Sequence, residues 1–65
     1  MKPFQERVVA ERDELKCRLD KLNAMLMGGG IYDTLPKDEQ VRLTLQSVCM
    51  TEYLRVLNER IAAFL

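Results

Sequence analysis

Apolar residues recur at intervals of three and four along the first 27 residues, the spacing that aligns side chains on one face of an α-helix. They are Phe4, Val8, Leu15, Leu19, Leu22 and Leu26. Pro3 suits the first turn of a helix, where a missing amide proton costs little. The pattern therefore predicts a helix from about residue 3 to residue 27.

Three consecutive glycines, Gly28 to Gly30, follow this segment. Glycine enters the left-handed conformation that ends many helices without a steric clash at Cβ, and it lowers helix propensity at each position. We therefore expect the first helix to end here and a turn to occupy residues 28–35. The alternative, a phosphate-binding loop, is disfavoured because such loops normally lead directly into a helix.

A second helix is predicted over residues 36–64, opening at Pro36. Asp33 and Thr34 lie just upstream as alternative N-caps, and the pattern does not choose between them. A connection of about eight residues between two helices of this length favours an antiparallel pair. The predicted fold is therefore all-α, a single domain over residues 1–65 that forms a two-helix hairpin.

Residues that face each other across such a hairpin have numbers that add up to about 63, if the turn is symmetrical. This register predicts three apolar pairs: Leu22 with Val41, Leu19 with Leu45, and Leu15 with Val48.

The second helix carries two apolar stripes, which together cover more of its circumference than one neighbouring helix can bury. The first stripe is Val41, Leu45, Val48, Cys49, Val56 and Ala63. The second is Leu43, Met50, Leu54, Leu57, Ile61 and Phe64. We assign the first to the hairpin and expect the second to contact another copy of the chain. The hairpin is thus predicted to assemble into a homo-oligomeric helical bundle, which agrees with the limited core that so short a chain can build.

The composition limits the kinds of catalysis and binding that we expect of the chain. The 65 residues include ten basic and ten acidic residues, two cysteines and no histidine. Without a base to activate either thiol, no nucleophilic dyad is evident, so we expect no enzyme, no metal site and no cofactor. Balanced charge argues against nucleic acid as the partner. No apolar run approaches the length of a membrane span, and the first residues lack an apolar signal core, so we expect a cytoplasmic protein.

Two rows of polar residues run beside the predicted core. One consists of Arg7, Glu11, Glu14 and Arg18, with ion pairs expected from Arg7 to Glu11 and from Glu14 to Arg18. The other consists of Gln46, Tyr53 and Arg60. Such rows are either interhelical salt bridges that set the register of a bundle or the walls of a ligand site. On the second interpretation, the candidate ligand-binding residues are Arg7, Glu11, Gln46, Tyr53 and Arg60.

Residues spread over nearly the whole chain resemble a family of short helical bacteriophage proteins, described as related to a small protein of crAss-like phages. The similarity lies in Pro3 to Arg12, Leu15, Lys21, Leu22, Tyr32 to Leu35, Gln46, Met50, Tyr53, Leu57, Arg60 and Ile61. The turn at Gly28 to Gly30 is richer in glycine than the family pattern. The resemblance implies a phage or prophage origin, expression in the cytoplasm of a bacterial host, and no catalytic residue.

Small oligomeric phage proteins include sponges that sequester nucleotide signals of bacterial immunity, which suggests a function. The chain is expected to bind a cyclic dinucleotide or a cyclic ADP-ribose derivative and so to block anti-phage defence. The alternative is a protein-interaction adaptor or inhibitor that docks the apolar stripe of helix two on a host or phage protein. RNA binding is a third possibility, which the balanced charge disfavours.

Overall fold

Three α-helices form the structure, a computed structural model that describes residues 1–64. They are α1 (Pro3–Leu26), α2 (Ile31–Thr34) and α3 (Lys37–Ala62). The all-helical class is confirmed, and the described residues contain no strand. The helix count differs from the prediction, because the segment expected to be a plain turn contains the one-turn helix α2.

The glycine segment ends α1 as expected. Gly28 and Gly29 have φ values of 87° and 81°, a left-handed conformation that other residues adopt only with strain. The backbone N–H of Gly29 donates a hydrogen bond of 2.7 Å to the Asp33 carboxylate. Asp33 therefore stabilises the glycine turn rather than the start of α3, whose N-cap is Pro36 with no side-chain cap bond.

Gln40 ties the connection to the first turn of α3. Its side-chain amide donates hydrogen bonds of 2.9 Å to the carbonyl oxygen of Tyr32 and 3.3 Å to that of Leu35. These bonds hold α2 and the residues after it beside α3 instead of leaving them as a free loop. The connection is therefore folded onto the helix that follows it.

α1 and α3 pack side by side in opposite directions. Arg12 donates a hydrogen bond of 2.9 Å to Asn58, and Ser47 donates one of 2.6 Å to Asn23. The residue numbers in both pairs add up to 70, so the predicted register of about 63 is wrong by roughly two helical turns. The reason is α2, because the connection folds beside α3 and lets the first turns of α3 extend past the end of α1.

This register also exchanges the roles of the two apolar stripes of α3. Leu57, assigned from the sequence to a contact with another chain, is fully buried against Val8 and Leu15 of α1. Four other residues of that stripe pack around the same cluster: Met50, Leu54, Ile61 and Phe64. The sixth, Leu43, is half-buried.

The stripe expected to face α1 instead points to solvent. Val41, Leu45 and Val48 are each 57% exposed, and Val56 is 43% exposed. The three predicted apolar pairs with α1 are therefore wrong. On the described residues the core consists of Val8, Leu15, Leu19, Leu22 and Leu57, of which only Leu57 is fully buried.

Candidate functional site

The two polar rows lie on the same side of the α1–α3 pair, where a shallow groove of about 140 Å³ runs between the helices. It is lined by Glu11, Glu14, Leu15, Arg18 and Tyr53. Two of the five predicted ligand-binding residues, Glu11 and Tyr53, thus meet in one cavity. Below, "the tyrosine groove" denotes this cavity.

The helical periods of α1 and α3 place these side chains. Glu11, Glu14 and Arg18 follow one another at intervals of three and four on α1, beside the buried Leu15 that forms the floor of the groove. Tyr53 is the contribution of α3, and its side chain is 44% exposed. The aromatic ring therefore rests against the wall of the groove while part of its surface faces solvent.

Ion pairing within the groove matches the prediction at one position and departs from it at another. Arg18 and Glu14 form the expected i,i+4 pair at 2.5 Å. The expected pair between Arg7 and Glu11 is not formed, and within residues 1–64 Glu11 accepts no side-chain hydrogen bond. The groove therefore contains one paired carboxylate and one carboxylate open to solvent.

The two outer arginines of the predicted set flank one end of the groove. Arg7 lies one turn before Glu11 on α1, and Arg60 lies two turns after Tyr53 on α3. Because the helices are antiparallel and paired numbers add up to 70, Arg7 and Arg60 are at nearly the same level. Both are exposed, and neither takes part in an ion pair within residues 1–64.

The other four arginines are paired with carboxylates. Arg12 and Arg18 are paired on α1. On α3 the pKa of Arg42 is raised by its hydrogen bond with Glu39, and the pKa of Arg55 is raised by its hydrogen bond with Glu52, so both guanidinium groups already have carboxylate partners. Within residues 1–64, Arg7 and Arg60 are consequently the arginines whose guanidinium groups are open to an anion without first breaking an ion pair.

Gln46, the fifth predicted residue, lies apart from the tyrosine groove. It precedes Tyr53 by two turns, and its amide nitrogen approaches the Met50 sulfur at 3.8 Å, a weak contact. The structure thus brings Glu11 and Tyr53 together, places Arg7 and Arg60 at one end, and leaves Gln46 towards the other.

Two further concave surfaces were missed by sequence reasoning. The larger, of about 460 Å³, is an open depression along α3 lined by Thr51, Leu54, Arg55, Asn58, Glu59 and Ala62. The second, of about 270 Å³, is lined by Tyr32, Lys37, Gln40, Val41, Thr44 and Leu45. The latter depends on how the connection folds onto α3, for which the sequence carries only the amide of Gln40 as a signal. The larger depression lies on a single helix, so we give more weight to the tyrosine groove, which two helices enclose.

Other chemistry has little support in the described part of the chain. Residues 1–64 contain no cluster of three or more side chains suited to hold a metal ion. Cys17 and Cys49 are exposed, unpaired thiols on different helices. No helix among residues 1–64 combines the length and the hydropathy needed to cross a membrane.

A family model described as Sequestin matches residues 2–63, nearly the whole chain. No curated protein and no solved structure matches the chain significantly.

Proposed function

The chain belongs to the Sequestin family, and on this basis we propose that it is a non-enzymatic phage protein that sequesters a nucleotide-type immune signal. The signal would be a cyclic dinucleotide or a cyclic ADP-ribose derivative, held in the cytoplasm of the bacterial host so that anti-phage defence is not triggered. The family name supports a sequestering role. The tyrosine groove, with two uncommitted arginines at one end, supports an anionic aromatic ligand.

Each residue of the proposed site has a separate task. Arg7 and Arg60 bind phosphate oxygens, for which the planar guanidinium group is well suited. Tyr53 stacks on a base through the exposed part of its ring. Glu11 accepts hydrogen bonds from an exocyclic amine or a ribose hydroxyl, and Gln46 contacts the distal part of a larger ligand.

The size of the tyrosine groove supports self-association as part of this function. Pockets that enclose a drug-sized ligand usually have volumes of about 300–1,000 Å³. At about 140 Å³, the groove of one chain is too small to enclose a nucleotide. A second copy of the chain that covers the ligand would supply the missing walls, so the proposed sponge is a homo-oligomer.

A protein-interaction adaptor remains the second candidate. The observation in its favour is the exposed apolar stripe of α3, in which Val41, Leu45 and Val48 are each 57% exposed. Contiguous apolar surface of this kind commonly marks a protein contact. In this alternative the stripe docks on a host or phage protein, and no small molecule is involved.

The decisive experiment combines native mass spectrometry with ligand titration. The mass of protein purified from a bacterial host is measured under native and under denaturing conditions. The melting temperature is then measured with and without a cyclic dinucleotide, cyclic ADP-ribose, AMP or inorganic phosphate. We expect an oligomer whose melting temperature rises with one of the cyclic nucleotides. If none of these compounds raises the melting temperature and no nucleotide-sized mass is retained, the proposed ligand class is wrong.

Two variants test the site within that experiment. Tyr53→Ala should weaken binding roughly 5- to 150-fold, because stacking contributes about 1–3 kcal/mol per base. Arg60→Ala should weaken it roughly 10- to 150-fold, since a hydrogen bond to a charged group contributes about 1.5–3 kcal/mol. Arg42→Ala is the matched control, because Arg42 is an exposed arginine of α3 that Glu39 already binds and that lies three turns from Tyr53. Equal losses for Arg42→Ala and Arg60→Ala would exclude the tyrosine groove as the site.

A further inference from the structure

The exposed apolar stripe of α3 lies on the side of the helix opposite the core. Its large members are Val41, Leu45, Val48 and Val56, with the exposed thiol of Cys49 at its edge. In the helical period Val41 and Val48 fall about half a turn away from Leu57, which is fully buried against α1, and Leu45 and Val56 fall about a third of a turn away. α3 therefore has one apolar face that α1 covers and a second that nothing within residues 1–64 covers.

The stripe carries two valines placed symmetrically about its centre. Val41 and Val56 lie equally far from a midpoint between Val48 and Cys49, and Leu45 lies as far from it as Glu52. A second α3 laid antiparallel across this midpoint would place valine against valine at both ends. In a two-fold interface every contact between residue i of one copy and residue j of the other occurs twice, so both ends of the stripe would make the same valine contact.

The groove beside α2 continues the stripe at one end and supports the same pairing. It is lined by Tyr32, Lys37, Val41 and Leu45 among others, and has a volume of about 270 Å³. In the antiparallel arrangement, Val56 of the second copy comes level with Val41 and enters this groove. Lys37, which has no ion pair within residues 1–64, comes within one residue of the level of Glu59 of the second copy, a carboxylate that Arg55 of its own copy also binds at 2.6 Å.

The charged residue within the stripe is compatible with burial. Glu52 lies among the apolar positions, and a carboxylate buried without a partner is unfavourable. Its oxygen accepts a hydrogen bond of 3.0 Å from Arg55, so the carboxylate already has a partner. The small core, with one fully buried side chain, gives the chain a further reason to bury this face.

We propose that two copies of this chain associate through the exposed stripe, α3 against α3 in antiparallel order, about a two-fold axis that passes near Val48 and Cys49. The inference rests on the self-association proposed above and not on the identity of the ligand. It places the contact on the opposite face of α3 from the one that the sequence suggested.

Mass measurement and cross-linking test the interface together. The wild type, Val48→Asp and Thr51→Asp are compared by size-exclusion chromatography with light scattering, and helicity is checked by circular dichroism. Thr51 is exposed on α3 but lies outside the stripe, which makes Thr51→Asp the matched control. We expect Val48→Asp to lower the mass by a factor of two while remaining helical, and Thr51→Asp to keep the wild-type mass.

The register is tested with a short bifunctional maleimide, which joins two thiols that lie within its reach. Wild type and Cys17→Ser should yield covalent dimers, whereas Cys49→Ser should not. If Val48→Asp lowers the mass but Cys49 does not cross-link, the antiparallel register is overturned. If the wild type is oligomeric and Val48→Asp keeps its mass, the choice of face is overturned while self-association stands. A wild type that is monomeric at high concentration overturns both the proposed interface and self-association, and it favours a different protein as the partner of the stripe.

Discussion

Truncation of Leu57 tests the assignment of the two stripes most directly. Leu57 is fully buried between α3 and α1, in contact with the cluster that contains Val8 and Leu15. Leu57→Ala removes three carbon atoms, worth about 2.4 kcal/mol at about 0.8 kcal/mol each, and leaves a cavity that raises the cost to about 3 kcal/mol or more. A core of this size supplies about 3–5 kcal/mol in total, so most of the monomer's stability is lost.

Leu45→Ala provides a control with the same chemical change on the same helix. Leu45 is 57% exposed, so less than half of the transfer free energy applies and no closed cavity forms. The expected cost to the isolated chain is about 1 kcal/mol. The two variants should therefore differ by about 2 kcal/mol, which is well outside the error of a denaturation curve.

Urea titration followed by far-ultraviolet circular dichroism measures this difference. It is performed at low micromolar protein, where self-association contributes least, and again at a tenfold higher concentration. At the higher concentration, the difference in the free energy of unfolding between wild type and Leu45→Ala should increase, because the variant weakens the proposed contact between copies. Equal destabilisation by both variants at the lower concentration would refute the assignment, since it would place Leu45 in the core.

Two further predictions concern the connection. Gly28→Ala should lower the free energy of unfolding by about 1–2 kcal/mol, because φ is +87° there and the new Cβ would lie 3.2 Å from the Asp33 carboxylate. Gly30→Ala is the control, since Gly30 lies in open space and has no positive φ. Equal melting temperatures for the two variants would contradict the strain argument. Gln40→Ala should lower the free energy of unfolding by about 1 kcal/mol and speed proteolysis near Tyr32, since two hydrogen bonds to the connection are lost. An unchanged cleavage rate would show that the Gln40 amide does not hold the connection against α3.

The helices themselves were predictable from the sequence because their signals are local. The spacing of apolar residues defined α1, and the glycines defined its end, where Gly28 and Gly29 adopt the expected left-handed conformation. The all-helical class follows from such short-range rules. α2 has only four residues, too few for any periodic pattern, so the sequence did not reveal it.

The stripe that faces α1 was not predictable from the same rules. Both faces of α3 are apolar, so periodicity alone does not decide which one is covered. The decision depends on the register, and the register depends on contacts such as those of Gln40 with the connection and Arg12 with Asn58. A symmetrical turn was the simplest assumption, and the fold of the connection onto α3 broke it.

The candidate site was partly predictable, since its rows follow from the helical period on each helix. Periodicity grouped Glu11 with Arg18 on α1 and Tyr53 with Arg60 on α3, and the structure places Glu11 and Tyr53 in one groove. Periodicity did not predict that Arg7 and Glu11 form no ion pair. Exposed i,i+4 pairs are worth only a few tenths of a kcal/mol, so spacing permits such a pair without requiring it.

The proposed dimer and the proposed ligand site support each other through the symmetry of α3. A two-fold axis that relates two antiparallel helices is perpendicular to the plane that contains them, so the same flank of each helix faces the same way. The tyrosine grooves of the two copies therefore open on the same face of the proposed dimer. The lining of one tyrosine groove contains two carboxylates and one arginine, so an anion depends on Arg7 and Arg60 at the end of the groove. A ligand that contacts both copies would link them, so ligand binding and self-association should strengthen each other.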